Sequence, residues 1–155
     1  MNKPMEADIV RMQLSGDRLV FVLPGQGRTL EAGSLESARE LLRHRPVTAG
    51  ELEALIEIVE DHIMPSMRLL EGIAGFEASA AELGDVARAL LAEAGDRAEV
   101  GIDDVEDLFN ALADVASGSP AGAMGIPVDG DFALRLVLLR EVMHHGGFGR
   151  VSLLA

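Results

Sequence analysis

The sequence predicts an α+β fold, mostly α: four to five helices packed with a small antiparallel sheet made of an N-terminal hairpin plus a C-terminal strand. Three observations carry that prediction. The first third alternates apolar and polar residues at period two around Gly-containing turns. From Ser34 onward apolar residues recur at helical spacing behind three capping-box signatures. The chain of 155 residues, 48% hydrophobic, suits one domain over 1–155 with a core of its own.

The elements follow in order. "ADIVRMQL", "SGD" and "RLVFVL" read as two strands about a tight turn. In the first run Val10, Met12 and Leu14 alternate with Ile9, Arg11 and Gln13, as in a sheet covered on one side. "PGQG" is a second turn and "RTLEA" a short third strand. Ser34 caps a short helix that ends near Arg43. Thr48 and Glu51 form a capping box, with Val47 and Leu52 placed as a hydrophobic staple. Behind them Leu52, Leu55, Ile56, Val59, Ile63, Met67 and Leu70 keep one helical phase, and Pro65 predicts a kink or two abutting helices.

Ser79 with Glu82 starts a further helix that stops at Gly95. Asp103 with Glu106 starts another, whose stripe is Val105, Leu108, Phe109, Leu112 and Ala116. Ser117 to Gly130 is a long Gly/Pro/Ser-rich loop, a lid if a site lies beneath it. The last helix, Asp131 to His145, is apolar around its whole axis and so should be buried. Gly146 is its C-cap, and "FGRVSLL" forms a strand that joins the hairpin.

Composition narrows the function classes. The chain has no cysteine, which excludes disulfides, thiolate metal sites and cysteine nucleophiles. A net charge of -13 argues against nucleic acid and anionic membranes, both of which need a cationic face. The opening "MNKPMEADIV" has no apolar signal core, so the expected location is the cytoplasm. Of thirteen basic residues only Lys3 is lysine, a bias that carries no functional weight. Gly25-Gln26-Gly27 follows a strand, but Leu30 stands at the third glycine position of a dinucleotide loop and no Walker lysine exists. No serine sits in a nucleophile elbow.

Chemistry is best sought at "LREVMHHGG". Glu141 is a carboxylate on an apolar helix, where it must be paired or protonated. His144 and His145 follow it by three and four residues, and Glu141-x-x-His144 has the spacing of helical carboxylate metal sites. His62, on the long helix, could supply a further ligand. The candidate metal ligands are therefore His62, Glu141, His144 and His145. A simpler account is that two histidines in a last turn satisfy free carbonyls and the helix dipole. The acids Glu53, Glu57, Glu60 and Asp61 read as solvated surface.

Two functions follow. With no catalytic constellation and with surplus apolar helix surface, the first is a non-enzymatic interaction or assembly module, a homodimer or the mate of a protein partner. The alternative is a small-ligand or metal-binding helical protein, an enzyme included, that uses His62, Glu141, His144 and His145. Its cofactor is unspecified by the sequence.

Overall fold

The computed structural model describes residues 9–94, 98–120 and 125–155. Among these, the elements are strands β1 (Ile9–Ser15), β2 (Arg18–Leu23) and β3 (Arg28–Ser34), helices α1 (Glu36–Leu41) and α2 (Ala49–Leu69), β4 (Gly75–Ser79), α3 (Ala80–Leu83), α4 (Asp85–Ala94), β5 (Glu99–Gly101), α5 (Ile102–Ala116), α6 (Gly130–Gly146) and β6 (Arg150–Leu154). They build one six-stranded sheet in the order β3-β2-β1-β4-β6-β5.

The hairpin forms as its sequence dictates. Leu14 pairs with Leu19 and Ser15 with Arg18 across a two-residue turn. Gly16 turns it with φ 60°, a conformation a residue with a Cβ adopts at a cost. The expected small antiparallel sheet of hairpin and C-terminal strand is corrected, however. β6 does not join the hairpin. It lies parallel to β4, which lies parallel to β1, and β5 adds an antiparallel edge.

The two extra strands explain why the sheet is six-stranded and mixed, not small and antiparallel. β4 offers only Phe76 and Ala78 to the core, too short a run to stand out in sequence. β5 has three residues. Their partners are remote along the chain, and parallel neighbours need a long crossover, so no local pattern announces them.

Val10, Met12, Leu14, Leu19, Phe21, Leu23, Val151 and Leu153 point into one core shared with the helices. Ile9, Arg11 and Gln13, on the other face of β1, are half-buried. α6 is central: Leu134, Leu136, Val137, Leu138, Leu139, Val142 and Met143 are all inaccessible. α2 is continuous across Pro65, with no break into two helices. Its apolar stripe is spent inside the molecule, since Leu52, Leu55, Val59, Ile63, Met67 and Leu70 are buried. Most of the apolar surface from which a homodimer was expected is therefore spent inside the molecule, although Ile56 of that stripe is only partly buried.

The caps show where local rules held. Thr48 and Glu51 make the full reciprocal box, and Glu51 also accepts the His44 and Arg43 backbone N–H groups. The Ser79 Oγ accepts the Glu82 N–H, but the Glu82 carboxylate leaves the box for the Leu14 N–H at 2.8 Å. α5 is capped two residues before Asp103: Gly101 is its N-cap, and Asp104 accepts the Gly101 N–H. Glu106 is thereby free for other work. α6 is capped by Asp129, whose carboxylate accepts the Phe132 N–H at 2.9 Å. It closes one residue later than expected, on left-handed Gly147. Phe148 N–H reaches Met143 O and Gly147 N–H reaches His144 O, a Schellman pattern. The predicted stop at Gly95 and loop residues 121–124 lie outside the described residues.

Candidate functional site

The C-terminal turn of α6 sits between α2 and α5, and that packing assembles the site. Glu141 is 3% exposed. Its Oε2 accepts Arg140 Nη1 at 2.7 Å, while its Oε1 lies 3.3 Å from His145 Nε2. The same His145 nitrogen is 3.6 Å from Glu60 Oε1 on α2. Arg140 turns its Nε to Glu106 Oε1 on α5 at 3.0 Å, and His144 Nε2 meets that same oxygen. The result is one chain of ionisable groups: His144, Glu106, Arg140, Glu141, His145, Glu60. Arg140 also lies over the Phe109 ring, 4.1 Å from its centroid.

The two carboxylates that share Arg140 are pushed in opposite directions. Burial, then the contact with Glu60, raises the Glu141 pKa against the pull of Arg140 and His145. Burial acts the same way on Glu106, but His144 and Arg140 overcome it and hold this carboxyl below its usual range. Acid–base pairs are made by environments that separate two such groups. Here the pKa of Glu141 is raised and that of Glu106 lowered, on either side of one guanidinium.

Glu60, Glu141 and His145 each offer one ligand atom, and these atoms lie within 4.8 Å of one another. The 3.3 and 3.6 Å separations bracket the about 3.4 Å edge of a tetrahedron with bonds of about 2.1 Å, the length of oxygen and nitrogen ligation.

Of the four residues singled out in sequence, Glu141 and His145 are brought together. His144 stands next to them but serves Glu106. His62 turns away: its Nδ1 bonds the Ile58 carbonyl of its own helix at 2.9 Å, and its ring sits beside Gly33 of β3. Glu60, two residues before His62, is the group that α2 contributes. Sequence reasoning missed Glu60, Glu106 and Arg140. Glu60 resembled every other acid on a wet face, and Glu106 was absorbed by a capping box that does not form. The signal that could have found Glu60 is its place one turn after Ile56, at the edge of the apolar stripe.

No protein-family model and no curated protein matches the chain. Solved structures do resemble it. The Aquifex aeolicus PPX-GPPA enzyme aligns with a TM-score of 0.67 at 8% identity, over 94% of this chain and 52% of that one. The type II variant structure of the Aquifex aeolicus Ppx/GppA phosphatase gives 0.62 at 11%, over 96% and 57%. An exopolyphosphatase from Cytophaga hutchinsonii gives 0.62 at 14%, over 97% and 55%. This chain thus spans about half the length of the proteins it resembles. Identities this low show the fold alone, the actin-like mixed sheet that these enzymes carry. The reading of the chain as a mostly helical, non-enzymatic assembly module is overturned by that likeness: the solved structures that share its fold are named as an enzyme, a phosphatase and an exopolyphosphatase.

Proposed function

We propose that this domain binds a divalent metal ion through Glu60, Glu141 and His145, as the ligand centre of an enzyme-type domain. The observation that carries the reading is the convergence of three oxygen and nitrogen donors from two helices around a carboxylate that is 3% exposed. Two acids in contact need a cation between them: a proton, an imidazolium or a metal. Arg140 holds the second Glu141 oxygen and so orients the first, the usual duty of an outer partner to a ligand. Mixed carboxylate and imidazole donors suit zinc and manganese. His144, through Glu106, positions Arg140 and is not itself a ligand; His62 stands apart. Calorimetry with Zn²⁺ and Mn²⁺ tests the reading. Micromolar binding of one ion per chain, lost in Glu141→Gln, supports it, and heat that is unchanged by that substitution sinks it.

A second reading draws on the solved structures, whose titles name a phosphatase and an exopolyphosphatase. In it this chain supplies one half of an enzyme that cleaves phosphate esters or phosphoanhydrides. Phosphate release from polyphosphate, assayed with and without Mn²⁺, tests it; no release above the rate of the Glu141→Gln protein counts against it.

A further inference from the structure

The three donors of the proposed metal site come from two helices, and what they leave uncovered says how the site is used. Glu141 is buried, but the Glu60 and His145 side chains are 40% and 31% exposed. The point on which their donor atoms converge therefore lies at the protein surface, with Glu141 as its floor. No fourth carboxylate or imidazole among the described residues joins the three. The neighbouring groups are already engaged: His144 meets Glu106, and the second Glu141 oxygen accepts Arg140. Zinc sites that only hold a fold together close on four protein ligands, whereas three ligands and an open position mark sites that take a further molecule. An ion held here keeps such a position open towards solvent.

Charge says what that position accepts. The cluster holds three carboxylates, Glu60, Glu106 and Glu141, and one guanidinium, Arg140. With neutral imidazoles a divalent ion only balances this set, and no positive charge is left over for an anion. Arg140 gives its Nε to Glu106, its Nη1 to Glu141 and its face to Phe109. On the helices that build the site, Arg135 is tied to Asp131, and Arg68 stands eight residues past Glu60. Glu57, exposed and one turn before Glu60, adds a further acid on the same helix face. Sites that bind a phosphoryl group clamp it with Arg or Lys beside the ion, and these helices offer none at this point. We infer that the open position of the ion takes an uncharged donor, such as water, an imidazole or the carbonyl oxygen of an ester or amide, in preference to phosphate. A carbonyl bound there is polarised by the ion acting as a Lewis acid. The inference rests on the metal reading and sets it against the phosphate-cleaving one.

Co²⁺, whose visible absorption reports its ligands, tests this on the full chain. The loaded protein is titrated with imidazole and with inorganic phosphate, while dialysis checks that the ion stays bound. Imidazole should shift the spectrum at a concentration at least tenfold below that at which phosphate does. Glu57→Arg, an exchange at an exposed position, should strengthen phosphate binding at least fivefold and leave imidazole binding within about twofold. One bound Co²⁺ per chain with a spectrum that imidazole leaves unmoved overturns the inference alone, because the coordination is then closed. Phosphate binding as tightly as imidazole, or phosphate binding indifferent to Glu57→Arg, overturns it too. A chain that takes up no Co²⁺, Zn²⁺ or Mn²⁺ removes the metal reading, and this inference goes with it.

Discussion

At its N-terminal end α6 meets a network built from permanent charges. Arg39 joins Asp17 of the β1–β2 turn to Asp131, at 2.6 and 2.9 Å, and Arg135 reaches Asp131 at 2.9 Å and the Glu82 carbonyl. Two guanidiniums answer two carboxylates, and Asp131 is held below its usual range because these bonds outweigh its burial. At the C-terminal end, three carboxylates face one guanidinium and two histidines. That set balances only when both imidazoles are protonated or another cation enters. The first network is complete by itself and ties elements together. On the proposed reading the second is left open to a ligand, although it lies on the same helix and uses the same residue types.

The contrast can be broken at the open end first, where the effect should be largest. Glu141→Gln removes one charge from the buried pair and should lower divalent-ion affinity at least a hundredfold, about 2.7 kcal/mol, in calorimetry.

Next comes the turn that fixes the histidines. A Cβ at Gly146 would overlap the Phe148 ring, which is buried and stacks on Phe76 with centroids 5.0 Å apart. The ring has nowhere to go, so Gly146→Ala should destabilise by about 2 kcal/mol in urea unfolding. It should also weaken metal binding, by displacing His145.

At the closed end Arg39→Ala should cost about 1 kcal/mol, as for a partly exposed pair of bonds, with no effect on metal binding. A change in ligand affinity there would erase the proposed distinction between the two ends.

The last effect is on pH. Burial works against the Glu51 charge, but bonds from His44, Thr48 and Arg43 bring its pKa from 4.5 down to about 2. A folded value below the unfolded one means stability present above about pH 4.5 and lost as pH falls toward 2. Glu51→Gln should flatten that acid limb of the unfolding curve. Its midpoint near neutrality should fall as well.

Much of the fold was legible in local pattern. The hairpin and its turn, the Thr48 box, the burial of α6 and the helical stripe of α5 each depend on residues a few positions apart. β4 and β5 were not legible, because five and three residues give no period that separates strand from loop. The site was half legible. Glu141 stood out as an acid among apolar neighbours, and His145 as its partner one turn on. Glu60, Glu106 and Arg140 did not, since each is an ordinary surface residue until three helices place it.

What the sequence determined by itself is the set of interactions whose partners lie within about one turn: caps, hairpin register and the faces that must be buried. Only the tertiary structure decided that β4 enters between β1 and β6, that Glu82 and Glu106 leave their helix starts for distant partners, and that Glu60 rather than His62 meets Glu141. The reason is physical. A carboxylate near a helix start gains about as much from a remote amide or guanidinium as from its own cap, so long-range packing chooses between them.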